Sequence, residues 1–498
     1  MSLSCTVRRN IRLSQCISST IQYRYHIPNQ CVKNNILQHT HVNIHSTQYR
    51  SLHNSNHTPS AVSATLQSNH QFYTNHYDIH YINTSDNDEL SRIIPLMHDM
   101  NKVRGRDFTD IDITVAQRKS ASTLNSSDRY SYDSYICLHY NFAANDQLKQ
   151  KYNLFNTNKM RIGRILEDAD ALSGDVCYKH IGIRHDRHVT CVTATIDRVD
   201  MFRSLPHSTE NSLPPDSLEC DWVMSGKITW VGNTSMEVRI DIGRIIDDQI
   251  QQLGNAFFVF VARDKSTYKK YIVPKLQLIS DIDQQLFDDG IQHNIKRRER
   301  INNPHQLQLP NNDELIQLHK LYLETRQNIP CTYHGYSTKT MSATHVSKVS
   351  LMHSQDRNIH NKMFGGHLLR LAFELSWACA YMTTHTLPKL QIVDDIHFYL
   401  PVEIGSLLTF DSEIWYINPH DSTVFVNVQA KVIDTSTGHT KHTSNEFYFQ
   451  FVCDTHDKPL PYIIPESYEE MMKYLEGRRR NKEFQSTYTT HKSQHTLS

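Results

Sequence analysis

A long stretch with almost no polar face limits what this chain can become. In residues 356–381, DRNIHNKMFGGHLLRLAFELSWACAY, a turn and a glycine pair lead into a helix. At 100° per residue, Leu368, Leu369, Leu371, Ala372, Phe373, Leu375, Ala378 and Cys379 cover most of its circumference. Only His367, Arg370 and Glu374 remain as a narrow polar stripe. A bilayer span needs roughly 20 apolar residues, and this helix is shorter and carries Arg370 and Glu374, so it is a core helix enclosed by other structure. Gly365 and Gly366 leave the first backbone N–H groups without a Cβ in front of them, where a carbonyl oxygen or anion can approach the positive end of the helix dipole. The same two glycines would equally serve a tight turn and close packing.

The rest of the chain has to supply the cover. Its 498 residues hold two or three ordinary domains, but a hydrophobic content of 38% is low for a wholly globular chain. Residues 1–77 contain no Asp or Glu, with Arg8, Arg9, Arg12, Arg24, Lys33 and Arg50 set among Ser, Thr, Asn and His. That is the composition of a mitochondrial transit segment, and it lacks the apolar run of a secretory signal. The formal net charge of zero gives no reason to expect nucleic acid as a partner. The ten cysteines show no C-x-x-C pair and no zinc spacing, and read as reduced thiols. His353, His360 and His367 recur every seven residues, a spacing that 31 histidines produce by chance, so no metal is expected.

Read in order, the chain repeats itself. Residues 78–127 read as a tether with a short helix near Leu90 to His98. A strand follows in DSYICLHYNF, then NTNKMRIGRILEDADALSGDVCYKH, where Gly163 leads a second, more charged helix bearing Leu166, Ala169, Ala171, Leu172 and Val176. Asp170 borders its apolar face while Glu167 and Asp168 point further round, so Asp170 is either a solvated edge residue or a poised base. Four strand-like runs come next: HVTCVTATIDRVDMF, VMSGKITWVG, SMEVRIDIG and NAFFVFVARD. Residues 275–344 turn polar, with a helix around 312–327 and a basic cluster, Lys296, Arg297, Arg298 and Arg300, that reads as a solvated turn or, less simply, as a contact for ligand phosphates. The glycine-led helix and four more strands then follow, Gly163 to Gly366 and Asp170 to Glu374 lying 203 and 204 residues apart. One helix before several antiparallel strands, twice, is α+β, and two such units packed together would enclose the apolar helix.

The blocks NIHNKMFGGHLLRLAFELSWACA and VDDIHFYLPVEIGSLL in the second unit, with RIGRILEDADALSG, VTATIDRVD, SGKITWVGNTSMEV and VARD in the first and IPESYEEMMKYLEGRRR at the end, resemble the mitochondrial acyl-CoA thioesterase 9 group. The resemblance covers about residues 130–480. It implies two tandem hotdog domains, each a long central helix wrapped by an antiparallel sheet, preceded by a disordered N-terminal segment. The organisation expected is a transit-like segment at 1–77, a tether at 78–127, hotdog domains at 128–274 and 345–457, a linker with a connecting helix at 275–344, a C-terminal helix at 458–482 and a disordered tail at 483–498.

By the same resemblance the activity is hydrolysis of acyl-CoA to free acid and CoA in mitochondria, matrix or inner-membrane-associated, with no cofactor beyond the CoA of the substrate, no membrane span, and self-association through hotdog pairs. Gly365 and Gly366 become the oxyanion contact with Asn358 near the turn; Asp170 and Glu374 become candidate carboxylates; Gly163, Phe364 and His367 become substrate contacts. The chemistry agrees: a thioester needs a polarised carbonyl and an activated water, because its thiolate leaves readily. No G-x-S-x-G elbow is present. The single glycine of the first unit makes the two possible sites inequivalent and ranks Asp170 above Glu374 as the base. A hydratase or dehydratase acting on acyl-CoA, or a non-catalytic acyl-CoA or protein-binding module, are the alternatives.

Overall fold

The computed structural model describes residues 79–84, 111–118, 128–155, 157–182, 188–202, 213–302, 309–325, 332–356, 362–398, 400–453 and 459–495. The transit-like segment, the short helix anticipated near Leu90 and Asn358 lie outside these residues.

Twelve strands form one sheet: β1 (Ile79–Thr84), β2 (Ile111–Arg118), β3 (Ile136–Tyr140), β4 (Val189–Met201), β5 (Trp222–Val231), β6 (Ser235–Ile246), β7 (Gln249–Asp264), β8 (Val346–Leu351), β9 (Pro388–His397), β10 (Leu407–Asn418), β11 (Thr423–Ile433) and β12 (Thr440–Cys453). Their spatial order is β1-β2-β3-β5-β6-β7-β4-β9-β12-β11-β10-β8. Two long helices, α2 (Ile162–Ile181) and α5 (Gly365–Thr384), each sit between the first and second strand of a unit; a short α1 (Asp146–Tyr152) precedes α2. The chain therefore runs strand, helix, four strands twice. Both times the strands take the same spatial order, β3-β5-β6-β7-β4 and β8-β10-β11-β12-β9. The halves join where β4 and β9 pair antiparallel, with Val199 opposite Val393 and Ile196 opposite Ile396.

Period-two alternation decides which face each strand buries. In β11, Val424, Val426 and Val428 are fully buried; Val424 and Val426 pair with Phe451 and Phe449 of β12, and the Phe373 ring of α5 lies 5.9 Å from that of Phe449. In β6, Val238, Ile240 and Ile242 do the same for the first unit, where Gly226 of β5 lets Val176 and Leu172 of α2 come close. The side of α5 that these strands leave uncovered, which carries His367, Arg370 and Glu374, packs on α2. The opposite face of the sheet carries α3 (Asp281–Asn302) and the C-terminal α6 (Tyr468–His495), α6 lying against β10 and β11; a further helix, α4 (Asn312–Thr325), lies between α3 and β8 in sequence.

Several expectations need correction. Residues 78–127 are not simply a tether: β1 pairs with β2, β2 pairs with β3, and Ile111, Ile113 and Val115 are buried. The basic cluster is no solvated turn but part of α3, where Arg297 pairs with Asp197 and Glu237 and Arg300 with Asp394 and Asp395. A helix so polar carries no apolar stripe; these ion pairs with the sheet are what bury part of it. The segment 483–498, expected as a disordered tail, continues α6 through His495. The helix expected over 312–327 matches α4, and the six cysteines among the described residues are all buried. No helix among the described residues is long and apolar enough to cross a membrane.

Candidate active site

The two long helices meet along a seam whose ends are their own amino termini. The row Arg161, Arg164, Glu167, Asp170 on α2, spaced three apart, faces Gly366, His367, Arg370 and Glu374 on α5. Arg161 donates to Glu374 Oε1 from Nε at 3.0 Å and from Nη2 at 2.5 Å; Arg370 Nε lies 3.0 Å from Glu167 Oε2; Arg164 Nη1 lies 3.7 Å from the same Glu167 oxygen. Charges this buried are tolerable only because they alternate.

At one end of the seam, α5 begins without a cap of its own, since Phe364 is extended and its side chain accepts nothing. The cap comes from the other unit: the Gly366 N–H donates to Asp170 Oδ2 at 2.6 Å. Thr193 of β4 donates its hydroxyl to Asp170 Oδ1 at 3.0 Å. A carboxylate at a helix amino terminus is where the dipole prefers one. Burial drives the pKa of Asp170 up, to about 7, with Glu167 adding to the rise while Thr193 and Gly366 oppose it. A side chain only 1% exposed is no solvated edge residue.

The glycines allow this approach. A Cβ on Gly366 would lie 3.0 Å from Asp170 Cβ and 3.0 Å from the Glu167 carbonyl oxygen, while one on Gly365 would meet the Phe398 ring at 3.1 Å and Asp170 Oδ2 at 3.2 Å. Packing and an exposed helix end, offered as alternatives by the sequence, are thus satisfied by the same two residues. Gly366 packs and orients the carboxylate; Gly365 remains the first amide of the helix.

The other sequence-named residues divide differently. Phe364 holds the N-cap position, and its N–H donates to the Asp356 carbonyl at 3.2 Å. His367 is buried in the ladder, its Nδ1 3.4 Å from Asp356 Oδ1 and 3.7 Å from Glu167 Oε1. Gly163 lies inside the first turn of α2 rather than before it, and its missing Cβ makes room for Phe373 and Arg370. Glu374 is held by Arg161, with Arg370 Nη1 3.6 Å away.

Glu374 is also not the counterpart of Asp170. The shift of 203 that carries Gly163 onto Gly366 carries Glu167 onto Arg370 and Asp170 onto Phe373, and the contacts follow: Gly366 faces Asp170 and Glu167, Gly163 faces Phe373 and Arg370. The two ends of the seam are related, and one has a phenyl ring where the other has its carboxylate.

Two further features escaped the sequence reading. Asp168 is fully buried in the first unit, accepting from Tyr152 Oη at 2.5 Å and Tyr140 Oη at 3.3 Å. Asp197, Glu237 and His293 bring ligand-type atoms within 4.8 Å of one another. Arg297 stands among them, 3.3 Å from Glu237 Oε2, and already supplies the positive charge that a metal would bring. His353 is exposed and His367 lies in the seam; His360 is outside the described residues.

No protein-family model matches the chain. Acyl-coenzyme A thioesterase 9, mitochondrial, from Homo sapiens is 33% identical over 355 residues, 70% of this chain and 76% of that protein. Acyl-coenzyme A thioesterase 10, mitochondrial, from Mus musculus is 32% identical over 369 residues, 72% of this chain and 80% of that protein. A solved acyl-CoA hydrolase from Staphylococcus aureus, in complex with butyryl coenzyme A, coenzyme A and coenzyme A disulfide, aligns at 23% identity with 32% of this chain and 98% of its own, at a TM-score of 0.30. On the extent and identity of the match to the human protein, the chain belongs to the mitochondrial acyl-coenzyme A thioesterase 9 family.

Proposed function

We propose that the chain hydrolyses acyl-CoA thioesters to free fatty acid and CoA, in the seam between two tandem hotdog domains, at the end where Asp170 meets Gly365 and Gly366. The observation that carries this reading is the 2.6 Å hydrogen bond joining the amino terminus of one unit's helix to a buried carboxylate of the other. The repeated strand order supports the tandem domains, and the relatives' names support the reaction.

Each element of the site has a task in that reaction. The two donors on Asp170 favour its ionised form and burial opposes it, so the group titrates near neutrality, where a general base serves best. A water held on one of its oxygens attacks the carbonyl carbon and gives its proton to Asp170. The carbonyl oxygen, becoming an oxyanion, lies against the Gly365 amide at the positive end of α5, with no Cβ at that residue to obstruct it. The C–S bond then breaks, and CoA departs as a thiolate that needs little protonation. Asn358, beside the turn, keeps the contact role that the family resemblance implies. Glu374, paired with Arg161, takes no proton.

The site of action is the mitochondrion, in the matrix or at the inner membrane, and no cofactor is needed beyond the CoA of the substrate. Self-association is part of the same reading, and exposed Leu315, Ile316 and Leu323 on α4 offer an apolar surface for it. Thiol release from a panel of acyl-CoAs tests the proposal. Asp170→Asn should lower kcat at least about a hundredfold with folding intact; near-normal turnover in that variant rejects it. Loss of enoyl absorbance without thiol release would favour a hydratase instead.

A further inference from the structure

Beside the end of the seam where Phe373 takes the position of Asp170 lies a cavity of about 390 Å³. Sites for small ligands span about 300–1,000 Å³. Most of its wall is apolar, with Met160, Phe202, Phe373, Trp377, Ala378 and Leu390, while Asp216 and Lys389 also line it. The charged pair on its rim, Arg161 and Glu374, is mutually satisfied and brings no net charge. At the mouth Phe155 is 73% exposed, its ring 5.8 Å from that of Trp377, which stacks on Tyr381 at 5.4 Å and 6°. Native interiors fill such volumes with side chains.

Position adds to the argument. Under the shift of 203, this end of the seam is the counterpart of the Asp170 end, with Phe373 for Asp170 and Arg161 for Phe364. Seven residues of α2 separate Asp170 from Gly163, about 10 Å at 1.5 Å per residue. The buried ion pair of Glu167 and Arg370 stands between them.

We propose that this end is a second, non-hydrolytic site that holds the hydrocarbon chain of a fatty acid or fatty acyl thioester. The choice of ligand rests on the thioesterase reading of the Asp170 end. A thioester seated here persists, because a phenyl ring accepts no proton from water. A mostly apolar wall, on which the formal charges of Arg161 and Lys389 offset those of Glu374 and Asp216, selects for a chain and against a buried anionic head.

The test uses the full chain and isothermal titration with a non-hydrolysable thioether analogue of a long-chain acyl-CoA. Two analogues per chain are expected in the unmodified protein and one in Ala378→Trp, which fills the cavity, with the rate on a short acyl-CoA unchanged. Palmitate competing for the site lost in that variant assigns it to the hydrocarbon chain itself; absence of competition assigns it to the CoA ester. Phe155→Ser, at an exposed position that leaves folding untouched, should weaken the second site and spare the first. One analogue per chain in both the unmodified protein and Ala378→Trp overturns the proposal. So does a selective loss of kcat/KM for long acyl groups in Ala378→Trp, which would make the cavity the tail of the hydrolytic site. Failure of the thioesterase reading is distinct: it shows as no thiol release from the unmodified protein.

Discussion

Removing the hydroxyl of Thr193 should displace the pH dependence of the reaction without abolishing it. Thr193 Oγ1 donates to Asp170 Oδ1 at 3.0 Å, one of the two side-chain and backbone donors that hold down a pKa which burial has raised to about 7. A hydrogen bond to a charged group contributes roughly 1.5–3 kcal/mol, and one pKa unit corresponds to about 1.36 kcal/mol, so Thr193→Val should raise the group by about one to two units. The isosteric valine keeps the strand and its packing. In the proposed reaction Asp170 acts in its ionised form, so activity lies above its pKa and is lost as pH falls through it. In the unmodified protein kcat/KM should therefore rise with a midpoint near pH 7, and in Thr193→Val near pH 8 to 9, reaching a similar plateau. Stopped-assay thiol release between pH 5.5 and 10 measures both curves. A uniform fall at every pH with the midpoint unmoved would refute the assignment of Thr193 to the charge of Asp170.

Further outcomes follow from the same seam. Asp170→Asn removes a buried charge, and since its folded pKa lies above the ordinary value of 3.8, the native state loses stability as pH rises from about 4 to about 7. At 1.36 kcal/mol per unit the penalty is at most about 4 kcal/mol, so the variant's Tm should exceed that of the unmodified protein at pH 8 and match it near pH 4, by calorimetry. Gly366→Ala must push its Cβ against the Glu167 carbonyl and Asp170 Cβ, each 3.0 Å away, and should cost about 1–3 kcal/mol along with most of the turnover. Glu374→Gln breaks a half-exposed ion pair with Arg161; turnover should fall far less than the roughly hundredfold floor for losing a general base.

Particular residues mark what the sequence disclosed. The apolar circumference of α5 and the glycine-to-glycine repeat announced two helix-and-sheet units, because burial on all sides leaves a composition that no surface helix has. Asp170 stood out because its position borders an apolar face. Its partner was misjudged by one place: matching acid to acid gave Glu374, whereas matching glycine to glycine gives Phe373, and backbone register rather than side-chain type decides what faces the seam. Thr193 could not be read at all, since a strand 23 residues beyond Asp170 meets it only through the sheet. β2 was legible in hindsight in the alternation of Ile111, Ile113 and Val115, which the polar surroundings masked. Helix α3 hid its attachment because Arg297 and Arg300 are buried by charge pairing, which leaves no periodic apolar signal.

Co-crystallisation with a ketone analogue of a short acyl-CoA, in which a CH2 replaces the thioester sulphur and the carbonyl is kept, tests most directly which end of the seam does the chemistry. The carbonyl position is expected about 3 Å from the Gly365 amide, with a water between its carbon and Asp170. An analogue found only at the Gly163 end, its carbonyl facing Phe373, would contradict it.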